Sequence, residues 1–141
     1  MDKIITVGGK EVGFRATALT PRLYRHKLGR DIVRDMAQLQ SRFAKAVKAR
    51  KLKKPKEDAA DWQKKEYEDA LKEAKMSVMD LEIFENVSWI MARQYSPETV
   101  PDTPEAWLDG LDTTFSIYEI LPQIMELWQL NQGTTSTPKK K

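Results

Sequence analysis

The sequence predicts a mainly α-helical domain with a small N-terminal β-hairpin, an α+β fold dominated by helices. The first observation is that apolar residues recur every three or four positions over residues 76–95, which is typical of a broad helical stripe. The second is an alternation of apolar and polar residues over residues 4–16, on both sides of a Gly-Gly pair. The third is a length of 141 residues, 40% hydrophobic and 32% charged, which suits one core. We expect a single domain over residues 1–130, packed around the helix at 76–95.

The hairpin prediction depends on Gly8 and Gly9, which supply a two-residue turn with positive φ. Val12 and Phe14 alternate with other residues after the turn, as expected for a strand with one buried face. Two strands alone are marginally stable in water. The hairpin must therefore pack on the helices, pair with a further strand, or meet a neighbouring subunit.

Two helices are expected after the hairpin. Thr20 as N-cap and Pro21 at the first helical position predict a short helix that ends at Gly29. A second helix, capped by Asp31 or entered at Arg30, carries apolar residues at core spacing. Those residues are Ile32, Met36, Leu39, Phe43 and Val47.

A basic linker is predicted over residues 48–57. Eight of the fifteen residues at 42–56 are Lys or Arg, and Pro55 prevents a helix from continuing. Phe43 is the only aromatic residue in the tract and belongs to the helix stripe, so no base-stacking surface is evident. We therefore favour a solvated linker, and the alternative is a nucleic-acid contact. The residues that would make that contact are Lys48, Arg50, Lys51, Lys53 and Lys54.

Helical pattern resumes near Asp58 or Asp61 and continues into the central helix, with or without a break. The acidic residues of the central helix, Asp80 among them, lie mostly off its apolar stripe, so we expect a hydrated acidic face. Thr103-Pro104 then opens a short helix, Ser116 opens the last helix with a capping box, and Pro122 is expected to kink that helix or to delay its start.

The last helix is apolar over more than half of its circumference, which indicates either a deep core position or a surface offered to a partner. Large aromatic and apolar residues are the usual anchors of protein interfaces. The candidate partner-binding residues are Val12, Phe14, Trp107, Leu121, Met125 and Trp128, with core packing as the alternative for each.

Composition restricts the chemistry that the chain can perform. It has no cysteine and a single histidine, which argues against disulfides, thiolate metal sites and histidine-based triads. The sequence has no run of 18 apolar residues, so we expect no membrane span. We therefore predict no catalytic residue, no metal ligand and no cofactor.

Charge is distributed very unevenly along the chain. Residues 1–56 hold 16 Lys or Arg against 4 Asp or Glu, whereas residues 97–131 hold 7 acidic residues and no basic ones. A basic front and an acidic back favour head-to-tail self-association, with polyanion binding as the alternative.

Three blocks of the chain resemble the tail assembly chaperones of long-tailed phages and prophages of Gram-positive bacteria. They read ITVGGKEVGFRATALTPRLYR followed by GRDIVRDM (residues 5–36), LEIFENVSWIMARQ (81–94) and PEAWLDGLDTTFSIYEILPQIMELW (104–128). The resemblance extends over roughly residues 3–132, whereas the tract at 45–75 contributes little to it beyond its charge. None of the three blocks is a catalytic motif.

The resemblance implies a non-enzymatic helper of virion morphogenesis in the cytoplasm of the host bacterium, absent from the mature virion. Its partner would be the tape-measure protein, a long helical chain kept from aggregating until tail-tube subunits assemble around it. The family commonly makes a longer product by programmed frameshifting, so homo-oligomers, that longer product and the tail-tube protein are further expected partners. Residues 131–141 are predicted to form a disordered tail, whose lysine end suits such a frameshift site. The alternative function is a basic phage nucleic-acid-binding or regulatory protein.

Overall fold

The computed structural model describes residues 1–133, in which a two-stranded antiparallel hairpin precedes six helices, and the predicted fold class is confirmed. The elements are β1 (Asp2–Val7), β2 (Lys10–Arg15), α1 (Thr20–Leu28), α2 (Ile32–Arg50), α3 (Asp61–Ala74), α4 (Val78–Tyr95), α5 (Pro104–Asp109) and α6 (Ile117–Gly133). Helix α6 therefore continues past residue 130, and residues 134–141 of the predicted tail lie outside the described residues.

The hairpin packs on the helices of its own chain. Gly8 and Gly9 have φ of 58° and 84°, as the predicted turn requires. Ile5 and Phe14 are fully buried on the inner face, whereas Ile4 on the outer face is 50% exposed. Helix α4 lies against β2 and α6 lies against β1. These helices supply the apolar cover that a two-stranded sheet needs.

Helix α4 is the central element and contacts β2, α1, α2, α5 and α6. It begins at Val78 because the Ser77 side chain accepts a hydrogen bond from the backbone N–H of Asp80. Met79, which the apolar spacing over residues 76–95 places on the buried stripe, is instead 47% exposed, so that part of the prediction is wrong. The buried apolar residues of the helix are Ile83, Phe84, Val87, Trp89, Ile90, Met91 and Ala92.

Asp80 is fully buried, contrary to the predicted hydrated face. Its carboxylate accepts hydrogen bonds from the backbone N–H of Ser77 at 3.0 Å, from Gln38 Nε2 at 3.3 Å and from Arg42 Nη1 at 3.4 Å. Burial alone would raise the pKa of Asp80, but these donors outweigh it and hold the pKa below its ordinary value. The carboxylate thus fastens the positive end of α4 to the middle of α2.

A second buried carboxylate joins α1 to α2. Asp35 accepts hydrogen bonds from Tyr24 Oη at 2.7 Å and from Arg30 Nε and Nη2 at 2.7 and 2.8 Å. Burial would raise the pKa of Asp35, yet the bonds from Arg30 and Tyr24 keep it below its ordinary value. The charge is therefore paired and fully hydrogen-bonded inside the fold.

Thr20 is not the N-cap of α1, which is Leu19. Its hydroxyl is buried, accepts from the backbone N–H of Thr17 at 2.9 Å and donates to Gln94 Oε1 at 2.6 Å. Gln94 Nε2 in turn donates to Thr17 Oγ1 at 2.6 Å. This network fixes the start of α1 against the end of α4, a contact that a local capping pattern could not reveal.

The predicted linker is partly helical, because α2 extends to Arg50. Ala46 and Ala49 are buried, so packing keeps the last turns of α2 helical despite their charge. Helix α3 ends at Ala74, and Lys75 adopts an extended conformation, so α3 and α4 are separate helices. Pro122 lies within α6 on its exposed side, while Leu121 beside it is fully buried.

We expect that only glycine fits at position 13 without strain, because the Tyr95 ring packs closely against the backbone there. A Cβ atom at this position would lie 2.1 Å from the Tyr95 ring, whereas one at Gly110 would meet its nearest neighbour at 3.5 Å. We predict that Gly13→Ala lowers the free energy of unfolding by about 1–3 kcal/mol. Urea denaturation measures this, and Gly110→Ala is the matched control, expected within about 0.5 kcal/mol of the unmutated chain.

Acid is expected to weaken the fold through Asp35. Because its pKa in the folded state is lowered, its stabilisation is complete above its ordinary pKa of 3.8 and is lost as pH falls through the lower folded value. We predict that Asp35→Asn costs about 2–3 kcal/mol at pH 7, since the Arg30 and Tyr24 donors lose a charged acceptor. The deficit relative to the unmutated chain should shrink on acidification, whereas the exposed substitution Asp109→Asn should change little at any pH. A deficit for Asp35→Asn that is constant from neutral pH to below pH 3.8 would contradict this assignment.

Candidate functional site

The aromatic and apolar residues predicted to bind a partner lie largely in the core of the chain itself. Phe14 and Leu121 are fully buried, and Trp107 and Trp128 are only 6% and 4% exposed. Trp107 packs edge-on against Phe14, with ring centroids 6.4 Å apart. Val12 and Met125 are partly buried against the same core. In this conformation α6 packs against β1 and α4, and Tyr118 and Leu130 are the large apolar side chains that it leaves exposed among the described residues.

Exposed apolar side chains occur on several elements of the described chain, and three of them lie close together in the sequence. Trp62 is 66% exposed, Leu52 42% and Leu71 38%, all within α3 or the segment before it. Val78 and Met79, at the start of α4, are also exposed, but they line none of the cavities described below. Leu52 and Trp62, by contrast, border a depression in the surface.

This depression, the α2–α3 groove, consists of two adjoining cavities of about 330 and 390 Å³ that share Leu52 and Ala70. Small residues on both helices leave the space between them, while Trp62 forms part of the wall. The residues that line the groove are Lys45, Lys48, Ala49, Leu52, Lys53, Pro55, Trp62, Gln63, Glu66, Tyr67, Ala70 and Ala74.

Basic side chains, together with Glu66, border the apolar floor of the groove. Lys45, Lys48 and Lys53 line it directly and are exposed. None of the three is within ion-pair distance of a carboxylate that the structure describes. A floor of apolar atoms with a rim of ammonium groups suits an amphipathic ligand that carries acidic residues beside its apolar stripe.

The five residues of the predicted nucleic-acid contact do not behave alike. Lys48, Lys51, Lys53 and Lys54 are exposed at the end of α2 and in the loop after it. Arg50 instead places its guanidinium 4.1 Å from the centroid of the Tyr118 ring, a cation–π contact with α6. Arg50 therefore has a role within the fold.

Trp62 is the residue that sequence analysis overlooked. It lies nine positions beyond Lys53 in the chain, in a segment that is otherwise polar, yet both side chains border the same cavity. Its only sequence signal is a large aromatic residue in the first turn of a polar helix. The fold turns that isolated residue into an exposed aromatic surface beside a lysine cluster.

Two other cavities are less suited to a partner. One of about 450 Å³ lies between β2, the end of α4 and α5, and its large side chain Trp107 is buried. Another of about 390 Å³ holds Glu82, Glu85 and Glu105. There, burial and the neighbouring charge of Glu82 raise the pKa of Glu85.

Among the side chains that the structure describes, no group of three or more His, Asp or Glu is placed to hold a metal ion. None of the described helices combines the length and apolar composition that crossing a bilayer requires. Comparison of the chain with protein-family models, curated proteins and solved structures finds no match. The function of the chain must therefore be inferred from its own surfaces.

Proposed function

We propose that this chain is a phage tail assembly chaperone, a non-enzymatic protein that binds the tape-measure protein through the α2–α3 groove and keeps it from aggregating. The observation that carries the proposal is the pairing of an exposed aromatic residue, Trp62, with an apolar groove between two helices. The sequence resemblance described above supplies the identity of the client, and the groove supplies a place for it.

A groove between two helices is suited to a third helix. An amphipathic helix inserts apolar side chains at positions i, i+3, i+4 and i+7 into such a surface. The two cavities adjoin at Leu52 and Ala70, and a helical ligand long enough to cover both would contact residues of α2, of the loop after it and of α3. The tape-measure protein, as the resemblance describes it, is a long helical chain with apolar stripes of this kind.

Lysines at the rim make the grip reversible. Exposed ion pairs with acidic residues of the client add modest affinity and are screened by salt. A chaperone must release its client when the tail tube assembles, so moderate affinity that depends on ionic strength fits this task. The rest of the proposal follows the resemblance: action in the host cytoplasm, absence from the virion, self-association, and a longer frameshifted product that shares these residues.

Trp62 is predicted to be the main anchor of the client. Replacing an interface tryptophan by alanine typically costs 2 kcal/mol or more, so Trp62→Ala should raise the dissociation constant for a helical tape-measure fragment by about 10- to 100-fold. Calorimetry with the fragment from the same genome measures this, and light scattering should show more fragment aggregation with the variant. Val33→Ser, at a 51% exposed apolar residue outside the groove, is the control and should bind normally. Equal binding by both variants would reject the groove as the client site.

Nucleic-acid binding is the second candidate, and one observation favours it. Trp62 beside Lys53 combines a stacking aromatic residue with a cation, a pairing typical of single-strand binding surfaces. Under this alternative, purified protein carries excess absorbance at 260 nm that high salt removes, and Lys51, Lys53 and Lys54 changed to Glu abolish it. A chaperone gives no such absorbance and binds the helical fragment instead.

A further inference from the structure

Strand β1 has an edge that no described residue covers with a backbone hydrogen bond. Met1 and Ala16 exchange both bonds of their pair, N–H of Ala16 to C=O of Met1 at 2.9 Å and the reverse at 2.7 Å. Antiparallel pairs alternate, so the main-chain groups of Asp2, Ile4 and Thr6 point away from β2. The sheet has two strands in the described chain, and no other described element bonds to these groups.

This edge lacks the usual protection against strand pairing. Natural edges carry prolines, bulges or exposed lysines. Strand β1 contains no proline and pairs with β2 residue for residue, without a bulge. Its one lysine, Lys3, pairs with Glu126, and Asp2 is neutralised by Arg15 at 2.8 and 3.0 Å. Ile4, at the middle of the edge, is 50% exposed.

We propose that β1 pairs with β1 of a second copy of the chain, antiparallel about a two-fold axis at Ile4. In this register Ile4 lies opposite Ile4 of the second copy, and Asp2 lies opposite its Thr6. Each of the three pairs exchanges two main-chain hydrogen bonds, giving about six in a continuous four-stranded sheet. The two exposed Ile4 side chains then cover each other on the outer face.

Charge is compatible with this register and with a second copy of the chain as the occupant. On the outer face, one row of side chains then crosses the four strands. It consists of Arg15 and Asp2 of one copy, followed by Thr6 and Glu11 of the second copy, so no like charges are directly opposite. A register centred on Asp2 would oppose two carboxylates. The strand is thus complementary to itself, and the interface is isologous and closes as a dimer.

The proposed function includes self-association, and this inference adds the surface on which two copies meet; it depends on β1 alone and uses no residue of the α2–α3 groove. It holds whether the client is a helical chain or a nucleic acid. The dimer leaves the head-to-tail contacts suggested by the charge distribution available for higher assembly, since a closed pair uses only the β1 edge of each copy.

Cysteine cross-linking tests the register directly, because the chain has no native cysteine. At a hydrogen-bonded pair the Cα atoms are about 5.5 Å apart, within disulfide range, so Ile4→Cys should form a covalent dimer on mild oxidation. Thr6→Cys is the matched control: two Thr6 positions are separated by about four residues along the strands, roughly 13 Å, and should not cross-link. A mixture of Asp2→Cys and Thr6→Cys chains should give the mixed dimer.

Proline variants provide a second, non-covalent readout by sedimentation across the micromolar range. Ile4→Pro removes one donor from the β1 edge and should raise the dimer dissociation constant at least tenfold, while circular dichroism shows the fold retained. Glu11→Pro removes the corresponding outward donor from β2 and should leave the dimer intact. A monomeric unmutated chain, equal cross-linking by Ile4→Cys and Thr6→Cys, or an unaffected Ile4→Pro dimer would each overturn the proposal. Binding of the helical fragment, measured on the same variants, reports on the groove separately.

Discussion

Burial of α4 is the constraint on which the rest of the structure depends. Five elements pack on this helix. Asp80 and Gln94, near its two ends, are hydrogen-bonded respectively to α2 and to the start of α1 with the segment before it. The large aromatic and aliphatic residues of the hairpin and α6 are mostly buried in this core. Part of the exposed apolar surface is found where a helix packs on few neighbours, as α3 does on α2.

Local patterns predicted most of the fold correctly. The Gly8-Gly9 turn, the Asp31 cap of α2 and the Thr103 cap of α5 are all present, because each is determined by side chains within a few residues. The errors concern residues whose partners are distant in the chain. Asp80 depends on Gln38 and Arg42, more than thirty positions away, and a helical periodicity argument assigns such a carboxylate to water.

The candidate site was harder to predict, for a related reason. Large apolar residues such as Phe14 and Trp128 have the same sequence signal whether they anchor a partner or fill a core, and only the number of packed neighbours distinguishes the two. The groove, in turn, joins residues of α2 and its loop to residues of α3, across a basic tract that reads as a plain linker. The position of Trp62 beside Lys53 becomes evident only when α2 and α3 are packed together.

Tryptophan fluorescence tests whether the α2–α3 groove receives a helical partner. The chain has four tryptophans, of which Trp89, Trp107 and Trp128 are at most 6% exposed while Trp62 is 66% exposed. Titration with a tryptophan-free helical fragment of the tape-measure protein should move the emission to shorter wavelength as Trp62 leaves water, and Trp62→Phe should remove that shift. A shift that persists in Trp62→Phe, or a fragment that binds while the emission stays unchanged, would contradict the account.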